Sequence, residues 1–593
     1  MAHPTRPELK GTFGMVASTH WLASASGMAV LERGGNAFDA AVAAGFVLQV
    51  VEPHLNGPGG DMPALVYEAS RHQVSVLSGQ GPAPRLATVE RFRSLGLDQI
   101  PGTGLLAPCV PGAVGAWLTL LRDLGTWRLR DVLEFAAGYA QAGHPLLPRV
   151  AATIENVGQL FQTEWPTSAE IWLKQGRAPG AGELFSNRAL AAAFGRLLTE
   201  AEARTGRENE IEGALATWYE GFVAEAIDDF LRQSQVQDSS GRRHGGLLSA
   251  DDLATWRPTW ERSCSASYGG WRVHKPGPWS QAPVFLQQLA LLQAAGLQDL
   301  EPGTAEFVHV VVEAAKLAFA DREAWYGDPA CVPDVTSELM APGYVRERSG
   351  LIAEHCSLDL RPGSVGGRPP LLPDYGAGAQ ADSPPGLGDP TFTPAAPQTG
   401  DTCHLDVVDR WGNLVSATPS GGWLQSSPAI PGLGFCLGTR AQIFNLTPGH
   451  PNVLAPVKRP RTTLSPSLAE HQGAGRLAFG TPGADQQDQW ALNFFVRLAQ
   501  SGESLQAAID APMFHTDHFP RSFLPHDSRP GSLYIEERAG PAVIGELRRR
   551  GHQVVVQPGW SLGRLSAAAW DTRSRLLKAA ANARGDQGYA VGR

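Results

Sequence analysis

The chain has 593 residues, 43% hydrophobic and 18% charged, with a formal net charge of -9, the composition of a soluble globular protein. A moderately acidic surface repels phosphate, which argues against nucleic acid or an anionic membrane as a partner. Met1 to Gly11 is polar, carries two prolines and has no cationic segment followed by an apolar one, so no secretory signal is visible and a cytoplasmic location is expected.

In chain order, a Gly34-Gly35-Asn36 break precedes Ala37 to Val51, the most apolar stretch. It carries Asp39 and Gln49 and is too short to cross a bilayer, so its spacing predicts a buried helix. A glycine cluster, Asn56 to Asp61, leads into the strand-like Ala64 to Tyr67. Helical spacing recurs over Ala113 to Leu124, Leu129 to Ala142, Ala189 to Leu198 and Ala305 to Trp325, with short β-prone runs such as Trp271 to His274 between some of them. Interleaving of this kind predicts a layered α+β or α/β core rather than a helical bundle. The six cysteines, Cys109, Cys264, Cys331, Cys356, Cys403 and Cys436, stand singly without C-x-x-C or a histidine at ligand spacing. They read as reduced thiols, and no metal or organic cofactor is implied.

From Arg361 to Gly400 the chain is dense in Pro and Gly and lacks apolar periodicity. Such a segment buries too little surface to offset its ordering entropy, which predicts a mobile loop or, alternatively, a domain linker. Thr402 to Asp409, a Trp411-Gly412-Asn413 turn and Leu414 to Thr418 then form a β-hairpin by alternation and turn chemistry. The loop therefore runs into a strand headed by threonine. A threonine hydroxyl needs a base to become nucleophilic, and its own α-amine can serve once the preceding peptide bond is cut. That amine titrates at about 7.7 to 8 and accepts a proton near neutral pH.

The run Gly400-Asp401-Thr402-Cys403-His404 through Asp409, with Gly412-Asn413 and Val415-Ser416, resembles the start of the small subunit of the γ-glutamyltranspeptidases. The likeness continues through Arg461 to Pro466 and Gly480 to Ala484, and in the earlier part through Gly34 to Ala43, Asn56 to Asp61, Val110-Pro111-Gly112, Glu313-Ala314 to Arg322 and Gly327-Asp328-Pro329. It implies the four-layer αββα sandwich of the N-terminal-nucleophile hydrolases. Residues 1–401 would be the large-subunit part, ending in the loop 361–401, and residues 402–593 the small-subunit part, the two intertwined as a heterodimer. Cleavage would fall between Asp401 and Thr402. Position by position, the resemblance implies Thr402 as nucleophile, Ser420 as its supporting hydroxyl, and Thr462 and Thr463 as a pair contacting the substrate carboxylate. Gly483 and Ala484 fall where the family has two glycines whose N–H groups form the oxyanion hole. Such donors are worth about 3 to 4 kcal/mol each, and Ala in place of Gly keeps them if its φ is compatible.

The sequence departs from the family at the glutamyl head group. Val89 stands where an arginine pairs with the α-carboxylate, and Arg85, Arg91 and Arg93 are displaced. The acidic pair for the α-amine is missing from Leu437 to Phe444, where Arg440 lies instead, and Gly422 replaces an asparagine. An altered acyl pocket is expected, with Arg440 reading a carboxylate-bearing amide or else forming a structural salt bridge. Transfer to an amine and hydrolysis by water stay equally open. The competing readings are a serine hydrolase at Gly559-Trp560-Ser561-Leu562-Gly563, which lacks a later histidine, and a non-catalytic binding relative of the same fold.

Overall fold

Two seven-stranded antiparallel sheets carry the architecture of the computed structural model, which describes residues 4–375, 402–584 and 588–593 and the backbone at 392–393 and 396–397. The expected hairpin forms, with Leu405–Asp409 paired to Leu414–Ala417 at the middle of the first sheet. Gly14–Ser18 flanks it on one side and Met62–Glu68 on the other. In the second sheet Gly475–Gly480 lies between Ser467–His471 and Ser566–Asp571.

Side chains alternate across a strand, and here the alternation assigns the layers. Cys403, Leu405 and Val407 enter a core shared with the helices Ala37–Val51 and Ala113–Leu124. Val408 and Leu414 instead meet Met15, Leu65, Leu468, Ala478 and Ala568 between the two sheets. The helices Pro283–Ala294, Ala305–Trp325 and Gln487–Ser501 cover the outer face of the second sheet. Helices, sheet, sheet and helices follow one another, so the fold is the α+β, αββα sandwich that the resemblance implied.

The helix Ala37–Val51 is buried on every side, as its composition predicts. Asn36 and Asp39 form a reciprocal capping box that satisfies orphan N–H groups at its start. The Asp39 carboxylate also accepts from the Thr126 and Trp127 N–H groups. A Cβ at Gly45 would come within 2.3 Å of the Trp117 ring, so only glycine permits this helix–helix approach. Asp409 fastens hairpin to helix, because one oxygen accepts from the Trp411 and Asn413 N–H groups of the turn and the other from Ala37 N–H at 2.9 Å.

Other expected elements form at the bounds their spacing gives, notably Ala113–Leu124, Leu129–Ala142 and Ala305–Trp325. The helix expected over Ala189 to Leu198 extends to Arg188–Glu202, started by Asn187, whose side chain accepts from Leu190 N–H. Residues before and after position 402 supply strands to both sheets, so each part completes the other's hydrogen-bond ladders. All six cysteines are free. Residues 361–375 are held at Gly363, whose N–H donates to Asp321 and whose carbonyl accepts from Trp325 Nε1. Most of the remaining expected loop, including Asp401, lies outside the described residues. No described helix is long and apolar enough to cross a membrane.

Candidate active site

Thr402 heads the central strand and is fully buried. It forms an antiparallel bridge with Ser420, its hydroxyl lies 3.3 Å from the Ser420 hydroxyl, and Cys403 N–H donates to Pro419 C=O at 3.0 Å. Ser420 is held in turn by Asp61 through reciprocal backbone bonds of 2.8 and 3.0 Å. This contact explains the glycine cluster before Asp61. A Cβ at Gly60 would sit 2.1 Å from Ser420 O, and one at Gly59 would sit 2.1 Å from Cys436 O. Gly421 and Gly422 follow at φ of +74° and +66°, a region costly to residues with a Cβ.

On the Thr402 face of the strand the next two positions are His404 and Asp406, both buried. His404 Nδ1 lies 2.9 Å from Thr418 Oγ1 and its Nε2 lies 3.0 Å from Asp406, which also accepts from Ser566 Oγ at 2.7 Å. The ring lies against Gly480, where an added Cβ would fall 2.3 Å from His404 Cε1. His404 thereby links the strand of Thr402, the approach to Ser420 and the start of the Thr481–Ala484 segment. In the sequence His404 stands only as part of a motif, and its i+2 spacing from Thr402 is the signal that puts both on one face.

Cys403 points to the helical side. Its thiol donates to Glu52 at 3.0 Å and accepts from Asn56 Nδ2 at 3.1 Å, and Thr19 Oγ1 donates to Glu52 at 2.6 Å. Burial drives the Cys403 thiol well above its usual range and also raises the Glu52 carboxyl. Cys403 therefore stays a protonated thiol, unsuited to nucleophilic attack beside the threonine.

Gly483 adopts φ +111°. Its carbonyl accepts from Gln487 N–H at 3.0 Å, and the Ala484 carbonyl accepts from Gln281 Nε2 at 3.1 Å. The N–H groups of Gly483 and Ala484 have no acceptor among the described residues. Gln281 N–H also donates to Thr462 C=O at 2.8 Å, which brings the threonine pair beside this turn. Thr462 and Thr463 are fully buried, and the Thr463 hydroxyl has no partner among the described residues.

Arg440 occupies the salt-bridge alternative rather than an open carboxylate site. Its Nε and Nη2 each donate to Asp61 at 2.8 Å, in a bidentate pair with both side chains almost wholly buried. Burial pushes the Asp61 carboxyl up while Arg440 pulls it down. The guanidinium carbon stands 5.5 Å from the Trp423 ring and 5.6 Å from the Phe523 ring. Trp423, Phe523 and Ile443 form one small cluster with Ala484 against it. Of the displaced arginines, Arg85 pairs with Asp252 and Arg93 donates to Leu446 C=O. Ser561 lies in a segment with no helix after it, and its hydroxyl donates to Pro558 C=O, which removes the serine-hydrolase reading.

Among the described residues the ligand atoms of His309, Glu313 and His552 lie within 4.8 Å of one another. Sequence spacing does not show this cluster, since His552 comes from the distant turn between the helix Pro541–Arg549 and the strand Gln553–Gln557. Glu313 is already paired with Lys316 at 2.6 Å and faces Arg361 at 3.4 Å. Those cations neutralise the carboxylate a metal would need.

The αββα sandwich is the architecture of the N-terminal-nucleophile hydrolases. The γ-glutamyltranspeptidase family model matches residues 23–592, and the chain belongs to that family. It is 30% identical to the glutathione hydrolase-like YwrD proenzyme of Bacillus subtilis (strain 168), over 98% of this chain and 99% of that one. It is 31% identical to the acylase ACY 1 proenzyme of Pseudomonas sp. (strain SE83), over 96% and 92%. The solved structure of LmbA2991HD superposes with a TM-score of 0.93 at 54% identity, covering 100% of both chains.

Proposed function

We propose that the chain cuts itself between Asp401 and Thr402, that the fragments stay together as a heterodimer, and that Thr402 then attacks the carbonyl of a γ-glutamyl or related amide. In the first step the Thr402 hydroxyl adds to the Asp401 carbonyl and the C–N bond breaks as the nitrogen takes the proton, leaving an ester and a free α-amine; water then hydrolyses the ester, releasing the Asp401 carboxylate and the Thr402 hydroxyl. In the second, the amine takes the hydroxyl proton as Oγ1 bonds to the substrate carbonyl carbon, then passes it to the departing nitrogen. Gly483 and Ala484 N–H groups stabilise the oxyanion, Ser420 orients the nucleophile, and Thr462 and Thr463 hold the acyl end. Water or an amine then accepts the acyl group, since hydrolysis and transfer share the acyl-threonine.

The observation that carries this reading is a fully buried Thr402 bonded to Ser420 at the head of the central strand. Unengaged backbone donors at Gly483 and Ala484 support it, as do relatives that are themselves proenzymes of hydrolases and acylases. No observation favours the non-catalytic alternative. Thr402→Ala is expected to leave one uncut chain on a denaturing gel with no amidase activity. Full turnover by that variant would reject the assignment.

A further inference from the structure

Self-cleavage and turnover differ in one reagent. The amine that takes the Thr402 proton during turnover is still an amide nitrogen in the uncut chain, and an amide nitrogen is not a base. The hydroxyl must therefore be readied by groups already beside it, and the register of the central hairpin places them. Leu405 pairs with Ala417 and Thr402 bridges to Ser420, so His404 and Thr418 stand opposite each other in the adjoining pair on the same face. Diagonal neighbours in such a ladder lie about 7 to 8 Å apart, and Thr418 is the diagonal neighbour of Thr402.

Thr418, His404, Asp406 and Ser566 form one hydrogen-bonded line, and all four are buried. Ser566 Oγ donates to one Asp406 oxygen at 2.7 Å, and the other oxygen lies 3.0 Å from His404 Nε2. A carboxylate only accepts, so Nε2 carries the ring hydrogen and Nδ1 keeps its lone pair. The Thr418 hydroxyl, 2.9 Å from Nδ1, then donates to the ring. With its hydrogen fixed there, Thr418 Oγ1 has only lone pairs to present to the neighbouring pair, Thr402 and Ser420. Hydroxyl, imidazole and carboxylate follow in the order of a hydrolytic triad, one pair removed from the residue that attacks.

We propose that Asp406 and His404 are positioning residues for self-cleavage, which hold Thr418 as an acceptor that polarises the Thr402 hydroxyl before the α-amine exists. The proposal rests on the reading that the chain cuts itself before Thr402.

Asp406→Asn preserves the shape of the side chain and changes what it offers. Ser566 Oγ, which has no other acceptor among the described residues, continues to donate to the amide oxygen. The amide nitrogen then faces His404 Nε2, the ring hydrogen moves to Nδ1, and the Thr418 hydroxyl is forced to turn round. The proteins are synthesised in a cell-free system and followed on a time-course denaturing gel. Asp406→Asn is expected to cut itself about a hundredfold more slowly than wild type. Removing the Ser566 hydroxyl as well lets the amide turn its oxygen back to Nε2–H. Asp406→Asn/Ser566→Ala is therefore expected to regain about tenfold of the lost rate, despite having one buried hydrogen bond fewer, with thermal unfolding cooperative in both. A purely structural role predicts the reverse order. Wild-type speed in the single variant, or a double variant no faster than the single one, overturns the inference. Thr418→Val and Thr418→Ser carry the test if Asp406→Asn does not fold: the first is expected to be slow and the second close to wild type, and equal rates overturn the inference. A wild-type chain that is never cut sinks the self-cleavage reading itself, however the variants rank.

Discussion

Asp61 and Arg440 show how one residue type can serve two ends. The carboxylate ties the Ser420 segment to the glycine cluster through its backbone and pins the guanidinium through its side chain. Removing one member of a buried pair is costlier than removing both, because the survivor stays charged in a low dielectric. Asp61→Ala is expected to destabilise the processed protein by about 3 to 5 kcal/mol, with Asp61→Ala/Arg440→Met recovering most of that loss in denaturant unfolding. A double variant no more stable than the single one would show that the pair contributes nothing beyond its separate contacts.

At the scale of elements, the distance between the strand Leu405–Asp409 and the turn after Gly475–Gly480 is set by the His404 ring seated on Gly480. Gly480 has an ordinary strand partner, Ser566, so its backbone does not require glycine; the ring does. Adding one methyl must push the ring or the strand, and both are fixed, the ring by Thr418 and Asp406 and the strand by its ladder. A displacement near 1 Å costs about a hundredfold in reactions that depend on a near-attack geometry. Gly480→Ala is therefore expected to slow self-cleavage by about that factor, read as precursor remaining on a time-course gel, with the unfolding transition intact. Normal processing of that variant would mean that the two elements are not mechanically coupled.

Across the whole molecule, burial has set aside a group of histidines. It lowers His20 and His552 to about 3 and His450, His518 and His526 to about 4, against an ordinary 6.5. The unfolded chain takes up these protons as pH falls through 6.5, while the folded chain does not until pH 3 to 4. The unfolded state thus binds more protons over that window, and stability declines on acidification. Each group contributes up to about 1.4 kcal/mol per pH unit, so the denaturant midpoint at pH 5 is expected well below that at pH 7. A midpoint unchanged between those values would show that these rings are hydrated in the native state.

Periodicity alone located the buried helix Ala37–Val51, the helices Ala113–Leu124 and Ala305–Trp325 and the hairpin after Thr402, because apolar spacing and turn residues are local properties of the chain. The motif residues likewise marked Thr402, Ser420, Gly483 and Ala484 as a candidate set before any fold was known. What local sequence could not contain was pairing at long range. Arg440 and Asp61 are separated by 379 positions and His309 and His552 by 243, and whether a cation meets a substrate or an internal carboxylate depends on which backbone lies beside it. The tertiary structure decided that choice for Arg440, turned Cys403 away from the Thr402 face, and placed His404 against Gly480. Each outcome follows from burial: once water is excluded, a charge or donor must take whatever partner the packing supplies.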